Sequence, residues 1–161
     1  MRKIAFGIAA VAAVSATPAL AQASNSLPVE VNVINSCTVS ASPLNFGSPT
    51  AIGTANIDRT SNVALVCTNG AAYTVSMDAG LHVAGTQRRM SNGAGTPVFV
   101  PYGIYRDAGY TAEWTTGLNS VSGVAGSSGL VSLTAYGRIP STAASVVAGR
   151  YTDTVTVSVT F

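Results

Sequence analysis

The chain has 161 residues, 47% of them hydrophobic and only 9% charged, with a formal net charge of +2. Two of its eight basic residues, Arg2 and Lys3, fall in an amino-terminal leader, and without them six basic residues face six acidic ones. So sparse and balanced a charge argues against a nucleic-acid binder, which needs clusters of Lys and Arg, and does little to oppose self-association.

The leader comes first. Arg2 and Lys3 precede an apolar run, Ile4 to Val14, which Pro18 and the small residues Ala19-Leu20-Ala21-Gln22-Ala23 bring to an end. Charge, short apolar run and an A-x-A site predict a secretory signal peptide over residues 1–21, cut after Ala21 or Ala23. The run falls short of the ~20 apolar residues that span a bilayer as a helix. Export to the periplasm and onward to the cell surface or the medium is the expected route. What remains has the length of one domain.

Leu27, Val29, Val31 and Val33 then alternate with Pro28, Glu30 and Asn32, a strand pattern with one apolar face. Pro28 has no N–H to give a ladder, so the paired stretch either starts there or runs from Val29 to Val33, which leaves Leu27 in question. Ile34 breaks the alternation. The break divides an extension, residues 24–33, from a domain, residues 34–161. Cys37 and Cys67 follow. In an oxidising compartment an even pair is most simply one disulfide, and closing that loop is worth roughly 3–4 kcal/mol in the chain-entropy model.

The rest of the chain reads as short strands and turns with no helical period. Val63, Leu65 and Cys67 share one face, as do Tyr73, Val75 and Met77. Further strands are predicted over Phe99 to Arg106, Leu130 to Ile139 and Tyr151 to Phe161, with loops at 91–95, 122–129 and 140–149. Many strands without helix predict a β-sandwich or barrel.

Chemistry is sparse. There is one histidine, His82, and no Ser-His-Asp spacing, phosphate loop or His cluster, so no enzyme, cofactor, metal site or small-molecule substrate is expected. Asp58, Asp78, Asp107 and Asp153 read as solvated turn and strand-edge residues. Tyr102, Tyr105, Tyr110 and Trp114 form an aromatic set that either stacks on a sugar or packs the sandwich. Tyr102 shares its parity with Ile104 and Tyr105 lies opposite, which favours packing.

The final strand carries Val155, Val157, Val159 and Phe161 on one face, with no Lys, Pro or bulge to blunt an edge. The extension offers a matching apolar row. One end of the chain is therefore expected to fill the other, in the same molecule as a closed monomer or in the next as a head-to-tail polymer.

The chain resembles the spore coat protein U domain family, which includes pilins of the archaic chaperone–usher pili. The resemblance spans nearly all of the chain after the leader. It rests on Cys37-Thr38-Val39, Leu44-Asn45-Phe46-Gly47, Val66-Cys67, the run Tyr102 to Asp107, Tyr136-Gly137-Arg138-Ile139-Pro140, Gly149 to Thr154 and the closing Val-x-Val-x-Phe. It implies an incomplete immunoglobulin-like sandwich lacking its last strand, with the Cys37–Cys67 disulfide near the base of the first two strands. A periplasmic chaperone would lend the missing strand, and at an outer-membrane usher the extension of another subunit would replace it. Leu27, Val29, Val31 and Val33 would be the donor residues. Val155, Val157, Val159 and Phe161 would line the acceptor groove and meet the chaperone. Adhesion and biofilm formation would follow, for a rod or adaptor subunit rather than a two-domain tip. The alternatives are a secreted spore-coat or matrix protein of the same family and a self-complemented glycan-binding sandwich.

Overall fold

A computed structural model describes residues 21–161; most of the expected leader lies outside them. The described residues fall into an amino-terminal segment ending at Asn32 and a domain, Val33–Phe161. In the segment no residue belongs to a strand, and Leu27, Val29 and Val31 are exposed. The alternating stretch at 27–33 is therefore not a strand among the described residues.

The domain is all β apart from a single 3₁₀ turn, Gly117–Asn119. Strands β1 (Cys37–Ala41), β2 (Ile57–Cys67), β3 (Ala72–Met77), β4 (Arg88–Ser91), β5 (Phe99–Tyr105), β6 (Val121–Val124), β7 (Leu130–Ile139) and β8 (Val157–Thr160) form two sheets. One has the order β1-β2-β7-β5-β4, the other β6-β3-β8. All pairings are antiparallel. This is an incomplete immunoglobulin-like sandwich.

Period-2 alternation turns one face of each sheet inward. Val63, Leu65 and Cys67 of β2, Tyr73, Val75 and Met77 of β3, and Val100, Tyr102 and Ile104 of β5 are buried together. Cys37 and Cys67 are register partners across β1 and β2 and are disulfide-bonded. Beyond them the ladder gains one more step. Thr68 N–H donates to Ser36 C=O, 2.8 Å, and the Thr68 hydroxyl accepts from Ser36 N–H and donates to Ile34 C=O, both 3.1 Å.

Two polar side chains tie the layers. The Trp114 indole donates to Val75 C=O, 3.0 Å. Arg88 of β4, 1% exposed, crosses to the other sheet, where its guanidinium donates to Asp78 C=O at 2.9 and 2.6 Å and to Trp114 C=O at 2.8 Å. Glu113 accepts from the same guanidinium at 3.1 Å. Backbone carbonyls supply most of its partners, which is how so hydrated a cation can be buried.

Several sequence readings need correcting. The last strand spans only Val157–Thr160; the stretch before it runs unpaired except for a bridge from Thr152 to Ser91. Residues 121–124 form β6 where a loop was expected to begin at 122, and β4 was not anticipated. Asp58 and Asp153 are not simply solvated. Arg138 grips Asp58 through two bonds of 2.7 and 2.8 Å, which hold its carboxyl below the usual range. Only Asp107 behaves as a plain turn residue, accepting from Thr111 and Ala112 N–H.

Candidate functional site

Two sheet edges are left without partners on the same side of the sandwich. β1 bonds only to β2, and β8 bonds only to β3. Next to them, past the end of β1 and before the start of β8, opens an apolar cleft of about 1150 Å3. Native interiors have few voids larger than a water molecule, so an opening of this size marks missing structure rather than loose packing. Its floor is the sandwich interior, including Val63, Met77, Val100, Tyr102 and Ile139. One wall is the stretch after β1, residues 41–52; the other is the approach to β8, residues 146–155, with Val157.

The first wall is built by the Leu44-Asn45-Phe46-Gly47 stretch. Asn45 Oδ1 accepts from Gly47 N–H, 2.8 Å, and turns the chain. Leu44 and Phe46 are thereby laid on Gly137 of β7, where an added Cβ would come within 2.5 Å of the Leu44 side chain. Phe46 also meets Tyr102 edge-on, with ring centroids 6.2 Å apart.

The second wall is held by two aspartates. Asp153 has its side chain 2% exposed. It accepts from the Tyr102 hydroxyl at 2.7 Å and from Leu81 N–H at 3.0 Å, and lies 3.0 Å from His82 Nδ1. Burial and then the Asp153 carboxylate push the Tyr102 phenol far above its ordinary pKa, so Tyr102 keeps its proton and stays a donor to Asp153. The Tyr–Asp–His grouping is a structural clamp. Asp78 acts where the β3–β8 ladder stops after Met77↔Val157. Its N–H donates to Thr156 C=O, 3.0 Å. Its carbonyl is taken by Arg88, so its carboxylate accepts the Thr156 N–H instead, 2.9 Å. Burial would raise Asp78, but the bonds from Thr156 and Gly80 outweigh it and hold the carboxyl below the usual range.

The structure brings Val155 and Val157 to the cleft. Val159 is half-buried against the core beyond it, and Phe161 is 57% exposed. Of the aromatic set, Tyr102 and Trp114 are buried, so neither is free to stack on a sugar. Tyr105 and Tyr110 pack edge to face on the outer sheet surface, with the Arg138 guanidinium 3.6 Å from the Tyr110 ring centre. Sequence reasoning missed Arg88 and the residues 41–52 of the first wall. Among the described residues no cluster of three or more His, Cys, Asp or Glu could hold a metal, and no helix is long and apolar enough to cross a membrane.

The model of the Spore Coat Protein U domain matches residues 23–158. This chain belongs to that family. No curated protein matches the chain. Among solved structures, the chain is similar to a chain of the CsuC–CsuE chaperone–tip adhesion subunit pre-assembly complex from the archaic chaperone–usher Csu pili of Acinetobacter baumannii. The TM-score is 0.59 at 23% identity, and the match covers 80% of this chain and 40% of that one. The likeness extends to the fold alone, an immunoglobulin-like sandwich.

Proposed function

We propose that this chain is a structural subunit that polymerises head to tail by donor-strand exchange, through a periplasmic chaperone and an outer-membrane usher, into surface fibres for adhesion and biofilm formation. The observation that carries the reading is the open cleft between residues 41–52 and 146–157, next to the free edges of β1 and β8. The proposed donor is the extension at residues 24–33, whose row Leu27, Val29, Val31, Val33 is exposed. Val155, Val157, Val159 and Phe161 form the acceptor side, with Val155 and Val157 central because they line the cleft.

Burying four such side chains contributes about 6–12 kcal/mol gross, while ordering the extension costs about 1–2 kcal/mol per residue in backbone entropy alone. Ladder bonds along two free edges tip the balance. Release requires opening a core, so the joint persists mainly through slow unfolding.

A closed monomer is the less favoured occupant of the cleft. To fold back beside its own β1, the chain would have to reverse between Val33 and Cys37. The Ser36 N–H and C=O both face Thr68, as in a continuing ladder, and carry the backbone straight on. Electrophoresis of unheated protein in SDS tests the reading. A ladder is expected from the full chain, and none after deletion of residues 24–33. A ladder that survives the deletion would show that the extension is not the donor.

A further inference from the structure

Charge is spread unevenly along the domain. Segments 31–57, 60–77 and 114–137 contain no Asp, Glu, Lys, Arg or His. They supply β1, β3, β6 and most of β2 and β7, and so the whole end of the sandwich that carries the Cys37–Cys67 disulfide. Asp58, Arg138, Arg88 and Asp153 lie toward the other end, where Asp58 and Arg138 are register partners. The uncharged end nevertheless exposes large apolar side chains. Val66 and Leu130 face each other across the β2–β7 ladder and are 56% and 66% exposed. Ile34 is 72% exposed. A surface without charge that displays aliphatic side chains has the composition of an interface core, from which charged residues are depleted, and not of a freely solvated pole.

The chain path names the occupant. Only three residues separate Val33, the last of the donor row, from Cys37, the first of β1. Fully extended they reach no more than about 14 Å. Thr68 removes even that slack, since it fastens Ile34 and Ser36 to the domain. An extension seated in a neighbour's cleft therefore leaves its own domain with no linker, and the disulfide end must stand directly against the mouth of that cleft.

We infer that the uncharged disulfide end is a second interface, a domain-to-domain contact with the copy of this chain that holds the extension, with Thr68 as the residue that sets the joint. The inference rests on the donor-strand reading. It gives the polymer a defined angle between successive domains in place of beads on a flexible string.

Hydroxyl-radical footprinting of the full chain tests it, in two states: polymer, and monomer whose cleft is filled by excess synthetic peptide of residues 24–33. Labelling of Val66 and Leu130 falls severalfold in the polymer relative to the peptide-filled monomer, and that of Leu118, which is fully exposed outside this end, stays level. In parallel, Leu130→Lys shortens the SDS-resistant ladder severalfold without moving the urea midpoint of the peptide-filled monomer. A normal ladder with equal labelling in both states overturns the contact and leaves donor-strand exchange standing. Absence of any ladder from the unmodified protein overturns the donor-strand reading, and the contact with it.

Discussion

Replacing Asp153 with alanine tests whether the cleft wall depends on a buried clamp. The carboxylate accepts from the buried Tyr102 hydroxyl and from Leu81 N–H. Each loses a charged acceptor, at about 1.5–3 kcal/mol apiece. The His82 contact adds less than about 1 kcal/mol, because that ring is 36% exposed and screened. The expected loss is about 3–6 kcal/mol, a large share of the total stability of a domain this size. Trp114, the one tryptophan of the chain and fully buried, reports global unfolding by fluorescence. With a urea slope of about 1–3 kcal/mol per molar, the midpoint should fall by about 2 M. Asp153→Asn keeps an acceptor for one donor and should lose less. A shift under about 0.5 M for the alanine variant would mean that water or rearrangement satisfies Tyr102, and that the clamp is not what holds the wall.

Acid should loosen the domain at that wall through Asp78 and across the β2–β7 ladder through Asp58. The folded carboxyls of Asp58 and Asp78 are depressed. Their contribution is present above the unfolded value of about 3.9 and is lost as pH falls below it through the folded pKa. Asp78→Asn should flatten the melting temperature against pH in that window, and an unchanged slope would refute the assignment. Reducing the Cys37–Cys67 disulfide should destabilise the domain by about 3–4 kcal/mol, read as a lower melting temperature in dithiothreitol; an unmoved curve would contradict this. Val157→Asp should abolish the SDS-resistant ladder. It gives up about 1.5–3 kcal/mol of burial and leaves a carboxylate without a partner in the filled groove. A normal ladder would show that this face is not the acceptor.

The strands β3, β5, β7 and the end of β2 from Val63 to Cys67 were legible because half-buried antiparallel strands alternate; the first half of β2, Ile57 to Asn62, does not alternate and went unread. β4 was not: Arg-Arg-Met-Ser carries no apolar period, and Arg88 is buried only because carbonyls from the opposite sheet, distant in sequence, receive it. β6 was obscured by Gly123, which leaves room for the Tyr73 ring, a cross-strand contact that no local pattern announces. The Val155 and Val157 wall could be read from parity alone. The facing wall could not, since residues 43–51 have no period and take their shape from contact with Gly137. Asp153 offered a signal that went unused: it shares its parity with Tyr151, Val155 and Val157, so the alternation already pointed it inward.

The cleft joins residues that follow β1 to residues that precede β8, and β8 itself pairs with β3 near the middle of the chain. Almost every contact that shapes it is non-local, a topology that collapses slowly. A chain emerging amino end first has β1 to β7 available while β3, already beside β6, still lacks β8. Until residues 157–160 arrive there is no acceptor to occupy, and the β3 edge is open to any strand that passes. The timing of that final pairing decides how long the β3 edge stays exposed to pairing with a passing strand.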